Sequence, residues 1–557
     1  MSIAVMPRLI DPALTAAAAK GPIDVVVFYE APRSSLVQDA TNKFAAIEKM
    51  PLGTARKVAA YEALHTIGTA TLEAHRAETS GLVAGGKATA VDELWSVGAV
   101  RVRGASLETL QSLTGPGVAR IMLDERIPAP TLPNPIQDAA DGAVELPAQF
   151  DRTTGAAAAR ATDADPSAVF MDWGVQRMNA PAAWKQGITG AGIVIGSLDT
   201  GVFVGHEALK HNYRGTNADG TLSNDYNWKD VVKETPAGGT LPDGSKFEDA
   251  DKAANGTSLR PIDLNGHGTH TSGSAVGWSP KHITGVAPDA KLIVARGLGE
   301  AGGSMFDLVS AMEWFMAPTK VDGTSPRPDM APDIVTNSWG GAATGNPFLW
   351  MALRNWQRSG IIPVFASGNN RVAKPGEVAV PGMYPETITV GASDLDEKRA
   401  WFSMFGPSDF AHDKKPEVMA PGHWTYSSLP DGTVRDTFPV NGQEYPASGT
   451  SMATPHVAGA MALYLQAHPG ASFQDVMGAL KKTSAMASAP TEEMGYGRVQ
   501  VEKLIAPGSI AAGAKLTEQA RVDELMAQVA SAKVFKEGVR KPGPPTKAPA
   551  DKHAIVA

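Results

Sequence analysis

Apolar and polar residues are distributed along this chain in two alternating patterns. Residues 23–29, IDVVVFY, form a continuous apolar run of strand length. A long Ala- and charge-rich stretch from about 36 to 82 predicts helix, with a break near Pro51 and Gly53. Strand-like segments follow at 87–95 and 99–104, then a short helix at 106–113 and a strand at 117–123. The predicted order β-α-β-β-α-β is that of a small ferredoxin-like α+β module. By itself that order assigns no function.

From residue 127 the pattern is lost. Prolines 128, 130, 133, 135, 147 and 166 punctuate an Ala/Asp-rich stretch without periodicity, which predicts an exposed linker and a place for proteolytic nicking. Periodicity returns near Trp173. Apolar runs at 193–198, 291–295, 333–336, 361–366 and 387–390 alternate with helical stretches such as 307–316 and 348–359. Strands alternating with helices predict a mainly parallel, doubly wound α/β sheet. In such sheets the functional site lies beyond the carboxyl ends of the strands. Asp199 and Asn369 each stand just past such an end.

Helical runs are predicted from Ser451 to Gln466 and from Ser472 to about Lys482. Further on, Val522, Leu525, Met526 and Val529 recur at i, i+3, i+4 and i+7, the stripe of an amphipathic helix that could recruit a partner, with packing back on the body the favoured reading. The Pro/Lys-rich end, KPGPPTKAPADK, predicts disorder. The chain therefore divides into an N-terminal extension (1–19), a small module (20–126), a linker (127–172), a large α/β domain (173–507) and a C-terminal helix with its tail (508–557).

Composition narrows the function. The 557 residues, 43% hydrophobic, can supply a sizeable core. A net charge of −8 provides no footprint for nucleic acid. The absence of cysteine excludes disulfides, thiolate metal sites and a cysteine nucleophile. No apolar run approaches the roughly 18 residues of a membrane span, so no membrane partner is expected. The opening MSIAVMPRLIDPALTAAAAKG does not read as a signal peptide, because Pro7, Arg8, Asp11 and Pro12 interrupt any apolar core.

Two glycine-flanked motifs carry candidate chemistry, NGHGTHT at 265–271 and GTSMATPHVAG at 449–459. A serine nucleophile needs a base within hydrogen-bond reach, and the base needs its tautomer set by a third group. Asp199, His267 and Ser451 supply the three types in the order Asp, His, Ser. Ser451 opens a predicted helix, where its own N–H is free for an oxyanion, and Pro455 fits only a first turn. Asn369, in Ser367-Gly368-Asn369, offers a side-chain amide as second oxyanion donor. His270 reads as a structural histidine. Taken singly, each motif has a plainer reading: a capped helix start, a strand-end turn, a buried histidine.

Together these residues resemble the subtilisin-like serine proteases over 173–504. The resemblance rests on LDTGV (198–202), NGHGTHTSG (265–273), NSWGG (337–341), ASGN (366–369) and GTSMATPHVAG, with GVAPDAKL (285–292) and VMAPG (418–422) in support. WGVQRMNAPAAW, DTGVFVGHEALKHNYRG and MAPDIVTNSWGG are similar to the bacillopeptidase F branch. The resemblance implies an endopeptidase working through an acyl-enzyme. Ser451 would be the nucleophile, His267 the base, Asp199 its orienting group and Asn369 an oxyanion donor. Ser338, Trp339 and Gly340 would form one edge of the peptide cleft and Gly302 and Gly303 the other. Trp339 could equally be core packing.

The resemblance also implies that the N-terminal module is a prodomain, an intramolecular inhibitor removed by self-processing in the linker. Protein and peptide substrates are the expected partners. No cofactor is expected. Calcium, used elsewhere in the family, finds no support here: the loop after His267, GWSPKHITG, is short and lacks Asp and Asn, and the acidic residues of 217–264 read as a solvated loop. An extracellular location follows from the family, with a cytoplasmic or unconventionally exported one as the alternative because no signal peptide is seen. Two competing functions remain: a processing protease dedicated to one partner, and a silent peptide-binding pseudoprotease.

Overall fold

The computed structural model describes residues 12–130, 168–342, 347–370, 373–407, 414–440 and 443–535. The N-terminal module is a four-stranded antiparallel sheet of β1 (Ile23–Tyr29), β2 (Ala90–Leu94), β3 (Ala99–Ala105) and β4 (Val118–Leu123), in the order β2-β3-β1-β4. That is the ferredoxin-like order. The helical region expected between β1 and β2 is present with its break near Pro51 and Gly53, and its first part is divided once more at Lys43. Ser35–Asn42 and Phe44–Ile47 precede a 31-residue helix, Thr54–Ala84. A short helix at Pro12–Ala18, not foreseen, buries Leu14 in the module's core.

The apolar run of β1 has a physical cause. Val25, Val27 and Tyr29 face the module's own core, whereas Val26 and Phe28 join a second cluster containing Trp314, Phe348 and Trp356 of the large domain. A sheet buried on both faces needs no polar alternation.

The large domain is built on seven parallel strands: β7 (Val194–Asp199), β8 (Trp228–Asp230), β10 (Lys291–Arg296), β12 (Ile334–Asn337), β13 (Ile362–Ala366), β14 (Ile388–Ser393) and β15 (Val418–Pro421). Their order is β15-β14-β13-β12-β7-β10-β8. The edge strand β8 lies inside the 217–264 insertion, which is therefore not wholly a solvated loop. Helices cover both faces. The helix bearing Ser451, Thr450–Ala467, packs on the His267–Val276 helix on one face, and Met305–Met316 packs with Phe348–Ser359 on the other.

Short strands complete the fold. β5 (Arg126–Ile127) lies antiparallel to β11 (Gly303–Ser304), so the predicted linker begins as a bound segment; residues 131–167 lie outside the described residues. β6 (Phe170–Asp172) is sandwiched between β9 (His282–Ile283) and β16 (Lys533–Phe535). The Gln519–Ser531 helix does pack back on the body, with Val522 and Leu525 buried. The Pro/Lys tail lies outside the described residues. Among the described residues, no helix is long and apolar enough to cross a membrane.

Candidate active site

Asp199 ends β7 and His267 opens a helix. His267 Nδ1 is 2.7 Å from Asp199 Oδ1, and both side chains are buried, 3% and 2% exposed. Asp199 Oδ1 also accepts from Thr200 N at 2.7 Å, and its Oδ2 from Thr271 Oγ1 at 3.3 Å. A carboxylate fixed by three donors sets the histidine's tautomer. Nδ1 carries the proton, and Nε2 is left as an acceptor.

The start of the His267 helix is organised by a residue that sequence reasoning passed over. Asp263 Oδ1 accepts from Gly266 N (2.8 Å), Asn265 N (3.1 Å) and Thr200 Oγ1 (3.0 Å). Its Oδ2 accepts from Thr269 N (2.9 Å) and Thr269 Oγ1 (2.6 Å). This one buried carboxylate joins the loop after Asp199 to the turn before His267, and burial raises its carboxyl above the usual range. The local signal was the Asp-Leu-Asn-Gly turn pattern, in which an Asp side chain bonds main-chain N–H groups ahead of it. Gly268 is required by contact. A Cβ there would lie 2.1 Å from Gly201 O.

Ser451 lies in the first turn of its helix, where N–H groups lack intrahelical acceptors. Its Oγ donates to Ser338 O at 2.9 Å, and Ser338 Oγ donates to Ser451 O at 2.8 Å. No hydrogen bond joins Ser451 Oγ to His267 in this structure. Catalytic hydrogen bonds are often long or unmade in sites without substrate. Asn369 Oδ1 accepts from Thr450 N (2.9 Å) and Thr450 Oγ1 (3.1 Å). The amide oxygen is thereby committed, and Nδ2 remains as a donor beside Gly449. Thr450 is a second residue that sequence reasoning missed.

The residues expected at the cleft edges lie around Ile127. Gly303 and Ser304 pair with Ile127 and Arg126, and a Cβ on Gly302 (φ +78°) would lie 2.0 Å from Ile127 O. This edge runs one residue further than the expected Gly302-Gly303. On the opposite side, a Cβ on Gly341 would meet the Ile127 side chain, and Gly340 is closed in by Ala379 and Val380. Trp339 is buried against Phe365, with Nε1 donating to Leu198 O at 2.9 Å, so much of its surface serves packing behind Asp199. His270 is structural. Its Nε2 contacts Thr425 O, and burial pushes its pKa down to about 3.

The N-terminal module adds contacts to the same region. Asp124 Oδ1 accepts from Phe306 N, and Arg101, stacked on Phe306, bonds Asp92, Asp124 and Asp307. Glu313 accepts from Ser96 N at 2.8 Å, and burial pushes its carboxyl up to about 7.

The subtilase family model (Peptidase_S8) matches residues 190–497. The chain is 36% identical to bacillopeptidase F of Bacillus subtilis (strain 168) over 59% of its own length but only 22% of that protein. It is 31% identical to subtilisin Savinase of Lederbergia lenta, covering 97% of it. It is also 31% identical to the major intracellular serine protease of Bacillus subtilis (strain 168), covering 76%.

Proposed function

The chain belongs to the subtilase family and is a serine endopeptidase, and on that premise we propose that it is made as a zymogen whose N-terminal module occupies its own cleft. The observation that carries this reading is the strand Arg126–Ile127, laid antiparallel on Gly303–Ser304 directly ahead of the proline-rich linker. An extended peptide adding a strand to an exposed edge is how a protease cleft takes substrate. The strand Arg126–Ile127 uses that mode.

In the proposed reaction Ser451 Oγ turns from Ser338 O to His267 Nε2, which removes its proton as the oxygen attacks the peptide carbonyl. Asp199 stabilises the imidazolium that results. Asn369 Nδ2 and the Ser451 N–H receive the oxyanion, and its charge is favoured at the positive end of the Thr450–Ala467 helix. His267 then returns its proton to the leaving amine, and water releases the acyl group by the reverse sequence. The natural substrates are proteins presenting extended segments. By family resemblance the working compartment is extracellular, which fractionation of producing cells tests.

The test compares the wild-type chain with Ser451→Ala, following the N-terminus by intact mass and assaying casein hydrolysis and fluorophosphonate labelling. Wild type is expected to lose residues up to the linker, cleave casein and label on Ser451. The variant is expected to stay whole and silent. A wild-type chain that hydrolyses casein while retaining an uncut N-terminus overturns the zymogen reading.

A further inference from the structure

The strand Phe170–Asp172 ends in a carboxylate that the reaction above does not use. Asp172 and His456 are both withdrawn from solvent, and His456 Nε2 lies 3.2 Å from Asp172 Oδ2. The same oxygen accepts from Gly174 N at 2.7 Å and Val175 N at 3.3 Å, and Oδ1 accepts from Tyr426 N at 2.8 Å. The second ring nitrogen, His456 Nδ1, lies 2.8 Å from Met452 O. A carbonyl, and a carboxylate that accepts on both oxygens, leave the ring to donate from both nitrogens. Asp172 and His456 thus form a second buried Asp–His pair, on the helix that carries Ser451.

The start of that helix depends on outside groups. Pro455 has no N–H, so Ser451 O lacks the helical donor four residues on and takes the Ser338 hydroxyl instead. Met452 O, one peptide further, is met by the His456 ring. Through its other oxygen Asp172 reaches the loop that leads into the helix. Next to its donor Tyr426 N, Thr425 N donates to Ala447 O at 2.9 Å, Trp424 N to Ser448 Oγ at 3.0 Å, and Gly449 N to Gly422 O at 2.7 Å. One carboxylate braces the chain on both sides of Ser451.

Asp172 is itself held from the far end of the chain. β6 lies parallel between β9 and β16, and Lys533 N donates to Val169 O at 2.8 Å. The helix before β16 is pinned beside β9. Arg521 lies over the Trp278 ring, 4.0 Å from its centroid, and bonds Asp289 Oδ1 at 3.0 Å, while Gln528 Oε1 accepts from Trp278 Nε1.

We propose that Asp172 is a positioning residue for Ser451, acting through His456, and that the C-terminal strand Lys533–Phe535 keeps it in place. The proposal rests on the reading of Ser451 as the nucleophile. A reacting group misplaced by about 1 Å costs about 10²-fold in rate, which bounds the effect.

The experiment uses wild type, Asp172→Asn, His456→Phe and the double variant, each made as the full chain and freed of its N-terminal module by a trace of tagged wild-type enzyme that is then withdrawn. Hydrolysis of a chromogenic peptide and the rate of fluorophosphonate labelling are measured well below each Tm. Each single variant is expected to lose about 10–10² in kcat and in labelling rate, with KM within about twofold of wild type. The double variant is expected to lose less than the product of the single losses. Single variants that have lower Tm but wild-type kcat and labelling overturn the proposal, as does a fully multiplicative loss in the double variant. Wild type that does not label at Ser451 overturns the nucleophile reading, and this proposal with it. Should the buried-pair variants fail to fold, Lys533→Pro, which removes the N–H bonded to Val169 O, still decides. Its labelling is expected to slow as hydrogen exchange at 170–172 quickens, and labelling at the wild-type rate overturns the proposal.

Discussion

Replacing Asp199 by asparagine isolates the charge of the orienting carboxylate from its geometry. Two N–H donors, Thr200 N and His267 Nδ1, converge on Oδ1, while Oδ2 is met by the Thr271 hydroxyl. An asparagine that keeps oxygen at the first position retains both bonds, and Thr271 can turn to accept from the new amide. The histidine tautomer therefore survives, and what is lost is the negative charge beside the imidazolium formed during attack. With charge centres about 4 Å apart and an effective dielectric of about 20, that interaction amounts to about 4 kcal/mol. It corresponds to a fall of about 10³ in kcat/KM. Asp199→Asn is expected to stop its own processing, so the N-terminal module is first removed by a trace of tagged wild-type enzyme, which is then withdrawn. Hydrolysis of a chromogenic peptide and the rate of fluorophosphonate labelling are then compared with wild type at matched Tm. A loss smaller than tenfold would refute the electrostatic argument. Unchanged labelling would remove Asp199 from the reaction altogether.

Four further outcomes follow from the same geometry. Asn369→Ala should reduce kcat by about 10²–10³ with little change in KM, a magnitude that comes from subtilisin itself; burst and steady-state kinetics separate the two parameters. Gly302→Val would drive a side chain into the Ile127 carbonyl, so KM for peptides should rise at least about tenfold as cross-strand hydrogen bonds of about 1 kcal/mol each are lost, while labelling of Ser451 by a small fluorophosphonate persists. Asp263→Ala should lower stability by about 3 kcal/mol or more, because Asn265, Gly266 and Thr269 lose the acceptor of their N–H groups, and calorimetry reads the shift in Tm. Glu313 should make module binding pH-dependent. Its carboxyl is raised to about 7 when docked and returns towards about 4.5 when freed. The docked state therefore holds the extra proton. Its contribution is full below about pH 4.5 and fades as pH rises through about 7, by at most about tenfold in Kd per pH unit. Release of the cut module should quicken towards alkaline pH, and Glu313→Gln should flatten that profile when release is timed by size-exclusion chromatography.

Short-range chemistry is what the amino-acid sequence determined by itself. The helix Phe348–Ser359 and the strand Ile23–Tyr29 stand where periodicity predicted them, because each pattern is set by which of its own faces is buried. Asp199, His267, Ser451 and Asn369 could be singled out as candidates because glycines and a helix start declare, within a few residues, where a side chain stands clear of its own backbone. Tertiary structure decided everything that depends on a partner far along the chain. The strand Trp228–Asp230 looked like acidic loop, since three residues carry no period and only the neighbouring Lys291–Arg296 strand makes them an edge. Asp263 was one carboxylate among many until folding set five donors around it. Lys415 carries no local signature, and only the turn at 384–389, brought across from another strand, encloses it. The Asp199–His267 bond depends on the same cause. A local pattern records that a face is buried, but the free energy of a buried charge is set by the groups that enclose it, and those are chosen by the fold.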